Sequence, residues 1–229
     1  MKTTASLHSF ERWCRLGAAG LCLLLAGGCS LFNSAATPVR PGLYTLDHAR
    51  STAPTTPRAL PAAAPTLVVS SPRAAAGFDS RRIIYVRQPH RLEYFAHSEW
   101  IDTPARMLSP LVVAALEKSG AFRAVVPAQG SASSDLRLDT EVLQLQQEFE
   151  GHPSRVRFAL RAHLVEDASR RVIAARDFEE AATAPSDNPY GGVVAANQAV
   201  RTVLENLAAF CAEAAGSWRA GSSSGKVGP

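Results

Sequence analysis

Cysteine almost disappears from the chain after its first thirty residues. Of the four cysteines, Cys14, Cys22 and Cys29 come early and only Cys211 follows. A lone thiol cannot close an internal disulfide, so the stability of the remainder has to come from packing. Cys211 could pair between chains, but it falls on the apolar face of a predicted helix, which favours a buried thiol. Concentrated charge is missing as well. The formal net charge is +4, and removing residues 1–28 takes away Lys2, Arg12, Arg15 and Glu11 and leaves +2. Nucleic-acid binding needs a focused basic face, and this balance excludes one. No H-E-x-x-H, no cysteine pair, no phosphate-cradling P-loop and no G-x-G-x-x-G occurs. His8, His48, His90, His97, His152 and His163 are scattered. The string GSSSG at 221–225 matches G-x-S-x-G literally, but it lies in a Gly/Ser tail without the strand and helix that motif requires. The expectation is therefore no catalytic residue, no metal and no cofactor.

What is present begins at the N-terminus. Residues 1–15 carry three basic side chains, and residues 16–28 (LGAAGLCLLLAGG) form a thirteen-residue apolar run. Crossing a bilayer takes about 20 helical residues, so this run is too short to span. A basic start, a short apolar middle and a small-residue end mark a secretory signal. Ala26, Gly27 and Gly28 lead directly into Cys29, an arrangement that resembles a bacterial lipobox. It departs from the usual pattern in having Ala26 where leucine is common, with Leu25 one step back. Acylation of Cys29 would place two or more chains on the new N-terminus, and two chains suffice for stable anchoring. Ser30 follows where an aspartate would resemble an inner-membrane retention signal, which points to the outer membrane with the domain facing the periplasm.

Residues 29–65 read as a lipidated start and a Pro/Ala-rich tether. Pro38, Pro41, Pro54, Pro57, Pro61 and Pro65 stand among Ala, Thr and Ser. Within it, GLYTLD (42–47) alternates and predicts a short strand docked on the domain. The domain spans 66–215. TLVVS reads as a strand ended by Pro72, and RIIYVRQ and RLEYFAH read as a hairpin across QPHR. A helix follows Trp100, with Thr103 as cap, Pro104 at its first position and Pro110 in its interior, where a kink is expected. FRAVV predicts another strand. DLRLDTEVLQLQQEFEG changes parity at Val142–Leu143, which predicts a bulge. It is joined by RVRFALRAHLVE and RVIAARDFEEAA in an antiparallel meander. Asn188 and Pro189 start the last helix, carried by Val193, Ala196, Val200, Val203, Leu204, Leu207, Phe210 and Cys211 to about Ala215. Residues 216–229 are expected to be a disordered tail. The fold class is α+β: a mainly antiparallel sheet with two helices packed on one face.

Two surfaces stand out. Arg155, Arg157, Arg161 and His163 face outward opposite Glu141, Glu148 and Glu150, which cross-strand ion pairing on a solvated face explains without a ligand; a docking surface is the alternative. Tyr85, Tyr94, Phe95 and Trp100 cluster within sixteen residues. They are either core or the anchors of a protein interface, where Tyr and Trp are enriched.

The order of features carries a family resemblance. A lipobox, the Tyr44-Thr45-Leu46 strand, a strand ended by Pro72, Ile83–Arg87 and then Trp100 before a helix resemble the ABC-type transport auxiliary lipoprotein family, from Cys29 to about Phe210. The resemblance implies a fold like the N-terminal domain of TolB. It also implies a non-catalytic outer-membrane lipoprotein that docks the MCE-domain protein and the ABC permease and ATPase of a lipid transport system. ATP hydrolysis would sit in another subunit, and a homo-oligomer is consistent with such a role. The competing reading is an adaptor of lipopolysaccharide-assembly or cell-wall synthesis machinery.

Overall fold

A computed structural model describes residues 40–47, 64–128 and 134–224. Cys29, Ser30, His48 and most of the expected tether lie outside the described residues. The elements run β1 (Gly42–Tyr44), β2 (Thr66–Val69), β3 (Arg73–Ala74), β4 (Arg82–Gln88), β5 (Arg91–Trp100), α1 (Pro104–Ser119), β6 (Ala124–Pro127), β7 (Leu136–Glu148), β8 (Arg155–Glu166), β9 (Arg171–Thr183) and α2 (Pro189–Ser224).

The long strand β7 organises one nine-stranded sheet. Along one edge it pairs antiparallel with β8, which pairs antiparallel with β9, so the expected meander is present. Its other edge is shared end to end by three short strands running parallel to it. Leu67 lies beside Leu136, Arg73 beside Glu141 and Tyr85 beside Gln147. β5 folds back on β4 as a hairpin through Pro89 and His90, β1 lies parallel on β5, and β6 lies parallel on β2. The register between β7 and β8 shifts between Val142 and Gln144. That is the bulge the parity change predicts, with Leu143 as the extra residue.

The alternating residues of the meander build the floor of the core. Leu136, Leu138 and Val142 from β7 and Val156, Phe158, Leu160, Ala162 and Leu164 from β8 are buried. Both helices close over that floor and touch each other. α1 contributes Leu108, Val112 and Leu116; α2 contributes Val200, Val203, Leu204, Leu207 and Cys211. Full burial of each leucine or valine contributes about 1.5–3 kcal/mol, which is how the domain holds together with Cys211 as the single cysteine among the described residues. The fold is α+β with two helices on a large mixed open sheet.

The elements depart from expectation in three places. Thr103 has an extended backbone at the start of α1, but its side chain makes no capping bond; its N–H instead meets Asp102 Oδ1 at 2.8 Å. α1 runs through Pro110 without interruption. Pro110 and Arg106, whose carbonyl loses its partner there, are both exposed, so water can satisfy it. Finally, α2 continues past Ala215 to Ser224. The residues beyond Ala215 include good helix formers, and Trp218 packs against the core while its Nε1 donates to Glu166 Oε1 at 2.7 Å.

Candidate functional site

The sheet and helices converge where the chain enters the domain. After β1, Leu46 turns inward and is 4% exposed, packed with the core. Asn197 on α2 holds the backbone on both sides of it. Its Nδ2 donates to the Thr45 carbonyl at 3.2 Å, and its Oδ1 accepts from the Asp47 N–H at 2.7 Å. The same Nδ2 also donates to the Val193 carbonyl at 3.0 Å. On the other side, the Ile101 N–H donates to the Tyr44 carbonyl at 2.7 Å. The Tyr-Thr-Leu strand is thus stitched to β5 and α2, so the core begins upstream of Thr66. Sequence reasoning missed Asn197; its only signal is an amide set within the helix's run of buried aliphatic positions, directly after Ala196.

The four aromatics do not form one surface. Trp100 is 3% exposed and belongs to the core. Tyr85 and Phe95 are half-buried and stack at 4.5 Å between ring centroids, and Phe149, which sequence reasoning overlooked, closes the group at 5.8 Å from Tyr85. Arg87 and Glu93 form an ion pair beside them, and Tyr85 donates to Glu93 at 3.0 Å. The Arg87 hydrogen bond holds the Glu93 carboxyl below its ordinary range despite some desolvation. Desolvation, reinforced by the bond to Glu93, raises the Tyr85 hydroxyl. Tyr94, next to Phe95 along β5, points to the other side of the hairpin, 39% exposed under the guanidinium of Arg82.

The outward sheet face is an ion-pair ladder. Arg157 reaches Glu148 at 2.7 and 3.1 Å and also pairs with Glu179, and Arg155 reaches Glu148 at 3.3 Å. Arg161 makes a two-pronged contact with Asp177, both bonds at 2.8 Å, and lies across from Glu141 in the β7–β8 register. Burial pushes Glu148 up, but Arg157, with help from Gln146 and Arg155, brings it below its usual value. Glu148 therefore stays ionised as a structural counter-ion. Carboxylates from β9 do much of the work assigned to Glu141 and Glu150, because β9 lies directly beside β8.

The start of α2 is pinned differently. Asn188 caps it through Oδ1 to the Gly191 N–H at 2.8 Å, as the sequence predicts. Asp187 accepts from the Ser154 N–H at 2.6 Å and from His152 Nδ1 at 2.6 Å, which together lower its carboxyl to about 2. Gln147 beneath is 2% exposed; its Nε2 donates to Ser154 Oγ at 2.9 Å, while its Oε1 has no partner among the described residues. Serine, histidine and aspartate meet here, but Ser154 is buried and bonded to Gln147, so this is a brace for the helix start. Cys211 is fully buried, and desolvation pushes its thiol up to about 12, far from a reactive thiolate. Among the described residues no group of three His, Cys, Asp or Glu could hold a metal ion, and no helix is long and apolar enough to cross a membrane.

The family model for the ABC-type transport auxiliary lipoprotein component matches residues 44–208. The chain belongs to that family. The match begins at Tyr44, the first residue of the stitched Tyr-Thr-Leu segment, and runs through α2 to Ala208. A Xanthomonas campestris protein of the DUF330 family is a solved structural relative of this auxiliary lipoprotein, with 25% identity, a TM-score of 0.63, and coverage of 78% of this chain and 96% of that one. A second, uncharacterised protein aligns at 16% identity and a TM-score of 0.58, over 75% of this chain and 99% of its own, and supports the fold alone. PelC of Paraburkholderia phytofirmans, solved as a dodecamer, aligns at 13% identity and a TM-score of only 0.40 over 61% and 86%. Comparison with curated proteins gives no match.

Proposed function

We propose that this auxiliary lipoprotein is a non-catalytic, outer-membrane-anchored docking component of an MCE-type ABC lipid transport system. Cys29 carries the covalent lipid, Ser30 permits sorting to the outer membrane, and the α+β domain faces the periplasm. There it meets the MCE-domain protein that the permease and ATPase energise. The observation that carries this reading is the family match beginning at Tyr44, because that residue opens the segment joining the lipobox side of the chain to the folded domain. The ten residues between Cys29 and Arg40 can span at most about 40 Å, so an acylated Cys29 keeps the domain close to its membrane. Apart from Gln147 Oε1, the polar groups described above are engaged in ion pairs, caps and braces, which supports a role in holding partners rather than in chemistry.

The test is affinity purification of the full-length protein from gently solubilised envelopes, with mass spectrometry of the co-purifying chains. Recovery of an MCE-domain protein together with an ABC permease is the expected result. Recovery of a β-barrel or of peptidoglycan synthases, without any transporter subunit, would overturn the reading.

A further inference from the structure

β9 is the longest open edge of the sheet. It pairs with β8 on one side and, among the described residues, with no strand on the other. Its thirteen residues hold no proline or lysine; a bulge at Ile173 and charged side chains blunt it in part, but from Ala174 to Thr183 it runs beside β8 without interruption. Beside its first half, between β9 and the last turns of α2, lies a groove of about 650 Å³. Arg171, Ile173, Arg176, Phe210, Glu213 and Trp218 are among its lining residues. The Arg176 guanidinium lies 4.8 Å over the Phe210 ring and 5.9 Å from that of Phe178, and no described carboxylate is within ion-pair distance of it. Arg171, by contrast, reaches Glu166 at 3.5 Å.

We propose that this edge and groove receive an extended acidic segment of a partner protein, which adds to the sheet beside β9 and places a carboxylate on Arg176. The open backbone edge specifies a strand: its N–H and C=O groups gain partners from another backbone, whereas an acyl chain would satisfy none of them. The groove takes the side chains that the added strand turns toward α2, apolar ones against Ile173 and Phe210 and an acidic one against Arg176. Charge separates the candidate occupants. Beyond Cys29, the stretches of this chain outside the described residues, 30–39, 48–63, 129–133 and 225–229, hold no Asp or Glu side chain; Glu11 lies in the segment expected to be removed as the signal. A second copy of β9 is a poorer donor, because its Asp177 and Glu179 are engaged by Arg161 and Arg157 of their own sheet and only Glu180 is left to meet Arg176.

The experiment uses the full-length mature protein in detergent micelles and a labelled nine-residue probe of alternating valine and glutamate, read by fluorescence anisotropy against micelles alone. The acidic probe binds; the same probe with lysine for glutamate does not. N-methylation of alternate residues abolishes binding in one of the two possible sets and spares it in the other, because only one side of an added strand faces β9. Arg176→Glu weakens binding at least tenfold and Arg176→Ala by less, while Arg201→Glu, an exposed position outside the groove, leaves it unchanged. Absence of binding by the acidic probe, equal binding of the lysine probe, tolerance of both methylated sets, or indifference to both Arg176 variants would each overturn the proposal. So would a dimer in sedimentation that Ile173→Pro dissolves, which would assign the edge to a second copy.

Discussion

Asn197 accepts the backbone N–H of Asp47 at 2.7 Å across 150 residues of sequence, and through its other amide atom holds the Thr45 carbonyl at 3.2 Å. One side chain thus grips the chain on both sides of Leu46, whose own side chain is buried in the core. Any pull transmitted along the chain from its N-terminal side reaches α2 at this point. Asn197→Ala should cost about 1–2 kcal/mol in urea unfolding, the net value of the two hydrogen bonds to residues 45 and 47. Leu46→Ala should cost about 2–5 kcal/mol through the cavity it leaves. The Asn197 variant should also expose residues 41–47 to proteolysis before the rest of the domain. Unchanged protection of that segment would show that the amide does not hold it.

Thr140 faces the core from β7 at 3% exposure, and its Oγ1 has no partner among the described residues. A buried hydroxyl without a partner is a liability, whereas an isosteric methyl is not. Thr140→Val should therefore raise stability, by about 1 kcal/mol, in chemical denaturation. A loss of stability would mean that the hydroxyl is satisfied.

Gly192, in the first turn of α2, lies against Gln147 so closely that a Cβ there would come within 2.2 Å of Oε1 and 2.8 Å of Cδ. Helix propensity alone favours alanine over glycine by about 1 kcal/mol. The contact reverses that sign, because Gln147 is buried and cannot swing away into solvent. Gly192→Ala should destabilise by about 1–3 kcal/mol. The double variant with Gln147→Ala should be less unstable than the sum of the two single changes. Thermal or urea unfolding of the four proteins measures both.

Asp187 gives the domain a defined acid sensitivity. Its carboxyl is lowered from 3.8 to about 2, chiefly by the Ser154 N–H and then by His152. A depressed carboxylate contributes stability that is fully present above its unfolded value near 3.8 and is lost as pH falls toward 2. Asp187→Asn should consequently be less stable than the wild type at pH 5–7, and the gap should close between about pH 4 and pH 2. Unfolding midpoints over that range decide the matter; a gap that persists at pH 2 would show that the charge is not responsible.

The readable parts of this fold are those where one face of an element meets the core and the other meets water. Val156 to Leu164 alternates cleanly, so β8 and its inward face are visible in the sequence, and the parity change at Val142–Leu143 shows the bulge. The parallel pairing of β2, β3 and β4 along β7 is hidden, because an alternating run carries no direction and β3 is only two residues long. Trp100 and Tyr94 look alike in a string of letters but end up in the core and half-exposed, respectively. Which they become is set by the β4–β5 register, which shifts twice. Asn197 and the extension of α2 to Ser224 depend on partners far away in sequence, Asp47 in one case and Glu166 in the other.

Cys29 carries both the anchoring and the docking role proposed for this chain. The most direct measurement is the intact mass of the protein isolated from membranes, compared with a Cys29→Ala variant by fractionation. The expected result is a chain beginning at Cys29 that carries a diacylglyceryl group and an added acyl chain, and a variant that leaves the membrane fraction or remains unprocessed. An unmodified Cys29, or a Cys29→Ala variant that still partitions with the membrane as the acylated protein does, would contradict it.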